Sequence, residues 1–184
     1  MAPHRLRMTA QADSTAPTAR LACIGLGANL GDAAAALDAA CAALAALPDT
    51  EWIMASGRWR SRPVASSGPD YLNAVACVRT CLSPEALLEA LLAIELDHGR
   101  ERPYRNAPRT LDLDLLLHGD LQRQTARLTL PHPRLAERAF VLLPLLQVCA
   151  ALPGKIHLPD HLAGGETWAA RAQRLATAQG IAPA

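Results

Sequence analysis

Apolar residues recur along this chain with two periods, and most of its elements can be read from them. From Leu111 to His118 the pattern alternates. Neighbouring side chains on a strand point to opposite faces, so Leu111, Leu113, Leu115 and Leu117 form an apolar face that belongs on a core. Asp112, Asp114, Leu116 and His118 form the other face. Leu21–Gly25, Trp52–Arg60, Tyr71–Thr80 and Leu128–Leu130 read as further strands. Between them, an Ala-rich helix starts at the N-cap Asp32 and runs to about Leu47, where Pro48–Asp49 ends it. Ser83 caps a second helix, with Pro84 in its first position, and His98–Gly99 closes it. An apolar helix or helical turn follows Phe140 to about Cys149, and another helix is expected around Thr167–Ala178. The order strand, helix, strand, strand, helix, strand predicts an α+β fold: a ferredoxin-like sandwich with a mainly antiparallel central sheet and helices packed on it.

The polar positions in this pattern carry the candidate chemistry. Asp112 and Asp114 share a strand face about 7 Å apart at Cα. Hard oxygen ligands at that spacing can hold one Mg²⁺ or bridge two, although such a pair is also common on the wet face of a half-covered sheet. Arg100, Arg102, Arg105 and Arg109 lie just upstream, and guanidinium forks match phosphate oxygens. Together they point to chemistry on a Mg²⁺-bound polyphosphate. Glu95 continues the apolar stripe of Leu88, Leu91 and Leu92 near a helix C-terminus, where the dipole disfavours a carboxylate. It needs a partner: a ligand hydroxyl, a nearby arginine or a salt bridge at the edge of the core. Tyr71 and Asn73 share a face and offer an aromatic surface and an amide for a heterocycle, or they simply begin a strand. His132, Arg134 and Arg138 are within reach of a phosphate, and Arg134 and Arg138 share a face if that segment is helical.

Composition narrows the classes. The net charge of +1 gives no global field for nucleic acid or a membrane. Lys155 is the single lysine, which excludes a P-loop. Gly25, Gly27 and Gly31 run Gly-x-Gly-x-x-x-Gly, one residue too long for a dinucleotide fingerprint, but they let the backbone turn and approach a flat ligand. The five cysteines are odd in number and contain no Cys-x-x-Cys, so they read as reduced thiols of a cytoplasmic protein without a zinc site. No apolar run is long enough to span a bilayer. Residues 1–20 lack apolar periodicity and read as a disordered tail, leaving 21–184 as one domain.

Four motifs together resemble the hydroxymethyldihydropterin pyrophosphokinase family of folate biosynthesis. They are Gly25-Leu26-Gly27-Ala28-Asn29-Leu30-Gly31-Asp32, Pro69-Asp70-Tyr71-Leu72-Asn73-Ala74, the segment from Ala107 to Leu116, and Leu130-Pro131-His132-Pro133 continuing through Glu137-Arg138-Ala139-Phe140. The resemblance spans about Leu21 to Ala150. It implies transfer of the pyrophosphoryl group of ATP to the hydroxymethyl group of 6-hydroxymethyl-7,8-dihydropterin, with release of AMP. It implies that Asp112 and Asp114 hold two Mg²⁺ ions and act in catalysis with Arg100 and Arg109. The ATP site would take Glu95, Arg100, Arg102, Arg109, Leu115, Arg127, Thr129, His132 and Arg138. The pterin site would take Gly27, Ser61, Val64, Tyr71, Asn73 and Phe140. The chain departs from common family residues at Ala28, Ser61-Arg62, Leu92 and Asn106. A monomer is expected, with no nucleic-acid or membrane partner. A non-catalytic pterin or nucleotide binder on the same fold is the competing reading; retention of both aspartates favours the enzyme. A glycosyltransferase using the Asp-x-Asp pair would need a larger nucleotide-sugar domain.

Overall fold

A computed structural model describes residues 18–63, 68–99, 109–158, 162 and 165–184. The elements are β1 (Arg20–Ala28), α1 (Ala33–Ala45), β2 (Thr50–Ala55), β3 (Trp59–Ser61), β4 (Tyr71–Thr80), α2 (Pro84–Asp97), β5 (Asp112–His118), β6 (Arg123–Gln124), β7 (Thr129–Leu130), a 3₁₀ turn (Leu135–Glu137), α3 (Ala139–Ala151), α4 (Trp168–Gln179) and β8 (Ala182–Pro183). The main sheet runs β5-β1-β4-β3-β8, with β2 also paired to β4, and its pairings are antiparallel. This is the expected α+β sandwich. The expected tail before residue 18 lies outside the described residues, as do the candidate site residues Val64, Arg100, Arg102 and Arg105.

Each face of the sheet carries its own core. On one face, Ala22, Ile24 and Leu26 of β1, Ala76 and Val78 of β4 and Leu113 and Leu115 of β5 pack under Leu37 and Leu44 of α1 and Leu87 and Leu91 of α2. On the other, Cys23, Val75, Cys77, Leu116 and Leu117 pack under Leu142, Leu145 and Val148 of α3, with Ala172 of α4 behind. Local signals start the helices as expected. The carboxylate of Asp32 accepts from Ala35 N and the hydroxyl of Ser83 from Ala86 N, each satisfying a backbone donor of the first turn.

The structure departs from the sequence pattern at four places. First, β5 does not alternate to its end. Ile24 pairs with Leu115 and Cys23 with Leu117, so Leu116 is an extra residue, a β-bulge. Beyond it the faces exchange: Leu117 joins Leu116 in the α3 core, and His118 turns to the α1–α2 side, where its Nε2 donates to Leu82 O at 3.0 Å. Second, the strand expected over Trp52–Arg60 is broken at Ser56–Arg58 into β2 and β3. Ser56 caps the break, its N–H donating to Val75 O and its Oγ accepting from Val75 N. Third, β1 continues through Gly25 and Gly27 to Ala28, so those glycines lie in a strand; the turn is made by Gly31 at φ +62°. Fourth, Arg134 and Arg138 are not on a common helix. A 3₁₀ turn separates them and Arg138 is extended at φ −116°.

Candidate functional site

The sheet face toward α3 is core at one end and cavity at the other, and the pattern of side-chain size explains the change. Along β1 the α3-facing positions pass from Cys23 to Gly25 and Gly27, and along β4 from Cys77 and Val75 to Asn73 and Tyr71. Large apolar groups give way to glycines and polar groups, and the sheet is left uncovered. A Cβ on Gly27 would approach Asn73 Oδ1 at 3.5 Å, and one on Gly25 would approach the Leu116 side chain at 3.5 Å. Gly27 pairs with Asn73 on one side and Asp112 on the other, so the amide and the carboxylate flank a bare stretch of backbone about 10 Å across.

The resulting cavity, about 240 Å³, is walled by Gly25, Gly27, Ser61, Tyr71 and Asn73, then by Arg109, Asp112 and Asp114, and finally by Arg138 and Phe140. Asn73 is buried. Its Nδ2 donates to Ser61 Oγ at 2.9 Å and to Trp59 O at 3.2 Å, which fixes the amide and aims Oδ1 as the acceptor toward the cavity. The Arg138 guanidinium lies 5.7 Å from the centre of the Phe140 ring, a cation–π contact. A second cavity of about 300 Å³ opens across the other side of β5, lined by Leu88, Leu113, Leu115, Arg127, Thr129 and His132. Asp114 lines both.

The two aspartates are held by arginines. Arg109 pairs with Asp112, and Arg138 Nη1 lies 3.3 Å from Asp114 Oδ2. Burial, then the neighbouring Asp112 charge, pushes the Asp114 carboxyl above its usual range, against the pull of His132, Arg138 and Arg109. Burial holds His132 below the ordinary imidazole value, with Asp114 partly offsetting it. A site that raises a carboxylate's pKa through a second carboxylate is one that a cation would relieve. Among the described residues no cluster of three or more acidic, His or Cys ligands occurs. Two carboxylates therefore suit an ion such as Mg²⁺ that takes its remaining ligands from phosphate and water, and do not suit a closed protein cage.

Most of the residues singled out from sequence are thus brought together. Gly27, Ser61, Tyr71, Asn73 and Phe140 line the first cavity with Arg109, Asp112, Asp114 and Arg138, while Leu115, Arg127, Thr129 and His132 line the second. Arg127 also pairs with Glu89 at the surface. Glu95 lines neither. It is fully buried in the seam between α2 and β5, where its Oε1 accepts from Leu113 N at 2.7 Å, so it positions the strand that carries the aspartates. Sequence reasoning assigned no role to Asn29, Arg62, Glu137 or Gln179. Asn29 is buried and ties three segments: its Oδ1 accepts from Arg109 N at 2.9 Å, its Nδ2 donates to Pro69 O, and its own N–H donates to Arg109 O. A polar residue directly after an apolar strand was the signal for it. Nothing local marks Gln179, which reaches the first cavity from the far end of the chain.

Comparison with known proteins identifies the family. The chain is 46% identical over 127 residues to the 2-amino-4-hydroxy-6-hydroxymethyldihydropteridine pyrophosphokinase of Synechocystis sp., covering 69% of this chain and 65% of that protein. It is 42% identical over 143 residues to the enzyme of the same name from Pseudomonas aeruginosa, covering 76% and 88%. Among solved structures, the HPPK-DHPS of Plasmodium falciparum with pteroate superposes with a TM-score of 0.61 over 90% of this chain at 12% identity. The chain spans 45% of that longer protein, and the likeness shows a shared fold. The profile of the 7,8-dihydro-6-hydroxymethylpterin-pyrophosphokinase (HPPK) family matches residues 23–150. On that match, across most of its length, the chain belongs to the HPPK family.

Proposed function

We propose that this chain transfers the pyrophosphoryl group of ATP to 6-hydroxymethyl-7,8-dihydropterin at the junction of the two cavities, acting as a monomer and releasing AMP. The observation that carries this reading is the position of Asp114, which lines both cavities beside Asp112. The pterin is assigned to the first cavity. There Asn73 Oδ1 accepts from a ring N–H, its orientation fixed by Ser61 and Trp59, while Tyr71 and Phe140 give the ring apolar surface. ATP is assigned to the second, with Leu115 against the base and Arg127, Thr129 and His132 toward the ribose and phosphates; the family resemblance adds Arg100 and Arg102 as ATP ligands.

In the reaction, the pterin hydroxymethyl oxygen forms a bond to the β-phosphorus and gives up its proton to solvent. The bond from that phosphorus to the α–β bridging oxygen breaks, and AMP leaves with the electron pair. Asp112 and Asp114 would hold two Mg²⁺ ions, which when bound neutralise charge on the phosphate oxygens. The remaining work falls to side chains. Arg109 and Arg138, each paired with an aspartate, are placed to turn to phosphate oxygens as the aspartates take up their cations. Asn29 holds the Arg109 backbone in place from both sides. The sheet floor at Gly25 and Gly27 lets the pterin lie close enough to the aspartates for in-line attack.

The test is incubation with ATP, Mg²⁺ and hydroxymethyldihydropterin, with nucleotide products separated. AMP and a pterin diphosphate are expected in equal amounts. ADP with a monophosphorylated pterin would overturn the pyrophosphoryl step, and pterin binding without turnover would assign the chain as a binding module.

A further inference from the structure

α3 begins badly by local rules. Its N-cap is Arg138, whose side chain makes no capping bond and whose positive charge lies at the positive end of the helix dipole. The same arginine reaches Asp114 and covers Phe140, so its place is set by the cavity and not by the helix. The missing cap comes from elsewhere. Gln179, forty residues along the chain, accepts from Ala139 N through its Oε1 at 3.0 Å and donates through its Nε2 to Glu137 O at 2.8 Å. These two peptide groups flank Arg138 on either side. One amide side chain therefore fixes the backbone around the residue that pairs with Asp114.

Gln179 is itself held from two directions. It is the last residue of α4, which packs on α3. Gly180 then adopts a left-handed conformation (φ 64°, ψ 47°) and reverses the chain. Ala182–Pro183 pairs with Trp59–Arg60 of β3, and Ala184 N donates to Arg58 O at 3.0 Å. β3 ends at Ser61, the residue that orients Asn73. The C-terminal segment thus joins the α3 wall of the first cavity to its β3 wall, and Gln179 itself lines that cavity. This segment lies outside the stretch matched to the family, which ends at residue 150.

We propose that Gln179 is a positioning residue for the pterin cavity: it caps α3 in place of Arg138 and thereby sets Arg138 and Phe140 against the substrate. The inference rests on the assignment of pterin to the first cavity.

The decisive comparison uses the full-length chain as wild type, Gln179→Met and Gln179→Glu. Met keeps the length and packing of Gln without either hydrogen bond; Glu keeps the acceptor for Ala139 N–H and loses the donor. By calorimetry, hydroxymethyldihydropterin should bind Gln179→Met about tenfold more weakly, since Arg138 and Phe140 must then be ordered on binding instead of beforehand. A nonhydrolysable ATP analogue with Mg²⁺ should weaken by less, about threefold at most, because Arg138 alone among the residues assigned to it adjoins the cap, while Arg127, Thr129 and His132 lie across β5. Gln179→Glu should recover part of the pterin affinity. Exchange of the Ala139 amide, followed by NMR in the free protein, should be faster in Gln179→Met and close to wild type in Gln179→Glu. Pterin affinity within twofold of wild type in Gln179→Met, with faster Ala139 exchange, would make the contact purely architectural and overturn the proposal. Equal weakening of pterin and nucleotide would overturn it too, as general loosening. Failure of the wild type to bind pterin at all would instead remove the functional reading beneath it.

Discussion

The two cavities that meet at Asp114 are built in different ways. The first is cut into the middle of the sheet. Its floor is β1 and β4 in continuous register with β5 alongside as far as Leu115, its acceptor is an amide held by Ser61 and Trp59, and its far wall is pinned by Gln179. The second is walled by the short β6–β7 hairpin and by side chains such as Arg127, which is mostly exposed and paired with Glu89. A cavity in a sheet is rigid because moving any part of it breaks ladder bonds, whereas a two-residue hairpin gives way with little loss. The contrast suits the two substrates of the reaction. A flat, nearly neutral heterocycle is recognised by shape and a few directed hydrogen bonds, which demand rigidity. A polyphosphate is recognised by charge, which tolerates movement.

The largest expected effect comes from the element the cavities share. Asp112→Asn or Asp114→Asn should lower single-turnover rates by roughly 10²–10⁴-fold at saturating ATP and Mg²⁺, since part of the charge clamp on the phosphates is lost. Thermal melting should hold or rise, because the carboxyl of Asp114 is already disfavoured by burial and by Asp112. A variant within fivefold of wild-type rate would reduce the pair to a solvated strand face and dissolve the link between the cavities.

Smaller, one-sided effects would sharpen the contrast. Asn73→Ala should weaken pterin binding by about 1–3 kcal/mol and leave nucleotide affinity almost unchanged, since a buried, preset acceptor is removed from one cavity only. Arg127→Ala should do the reverse and more gently, by no more than about 1 kcal/mol on ATP, because an exposed charge is already solvated. Calorimetry on both variants with both ligands gives four numbers. If Asn73→Ala weakens ATP and spares the pterin, the two cavities have been assigned the wrong way round.

The smallest functional effect is expected at His118, which belongs to neither cavity. Burial holds its pKa below the ordinary value, so the folded protein keeps it neutral while the unfolded chain takes up a proton first. Stability should therefore be full above the unfolded-state value of about 6.5 and decline as pH falls from there toward the folded-state value. In His118→Gln, which keeps a donor for Leu82 O, that acid decline should be shallower, with both ligand affinities unchanged at neutral pH. Urea melts at several pH values decide this; parallel curves for the two proteins would show that His118 contributes nothing to the acid limb.

How much of this was legible beforehand depended on whether the signal was local. The caps at Asp32 and Ser83 are side-chain-to-backbone contacts three residues long, and the helices they start could be read directly. The strand carrying Asp112 and Asp114 was legible because alternation is a property of neighbours. The bulge at Leu116 was not, since an inserted residue among leucines leaves no mark when both faces are apolar. The break at Ser56–Arg58 was hidden for a similar reason: it is stabilised by Val75 on another strand. β6 and β8 are two residues each, too short for any period. Of the candidate site, residues such as Asn73, Asp112 and Asp114 could be named from sequence and line the cavities, while the contacts that support them could not be read. Asn29, Gln179 and Glu95 act on backbone groups far away in sequence.

The bulge in β5 has a consequence for how damage to this chain would be inherited. Before Leu116 the seven-residue strand shows leucines to one core and carboxylates to a cavity; from Leu116 onward it is buried throughout. A missense change at the two aspartates should yield a protein that accumulates normally but is inert. One at Leu116 or Leu117 should yield little protein at all, and its effect should depend on growth temperature. In a collection of loss-of-function alleles, temperature sensitivity should begin at Leu116 on the cavity side of the strand, dividing one short run of sequence into two genetic classes.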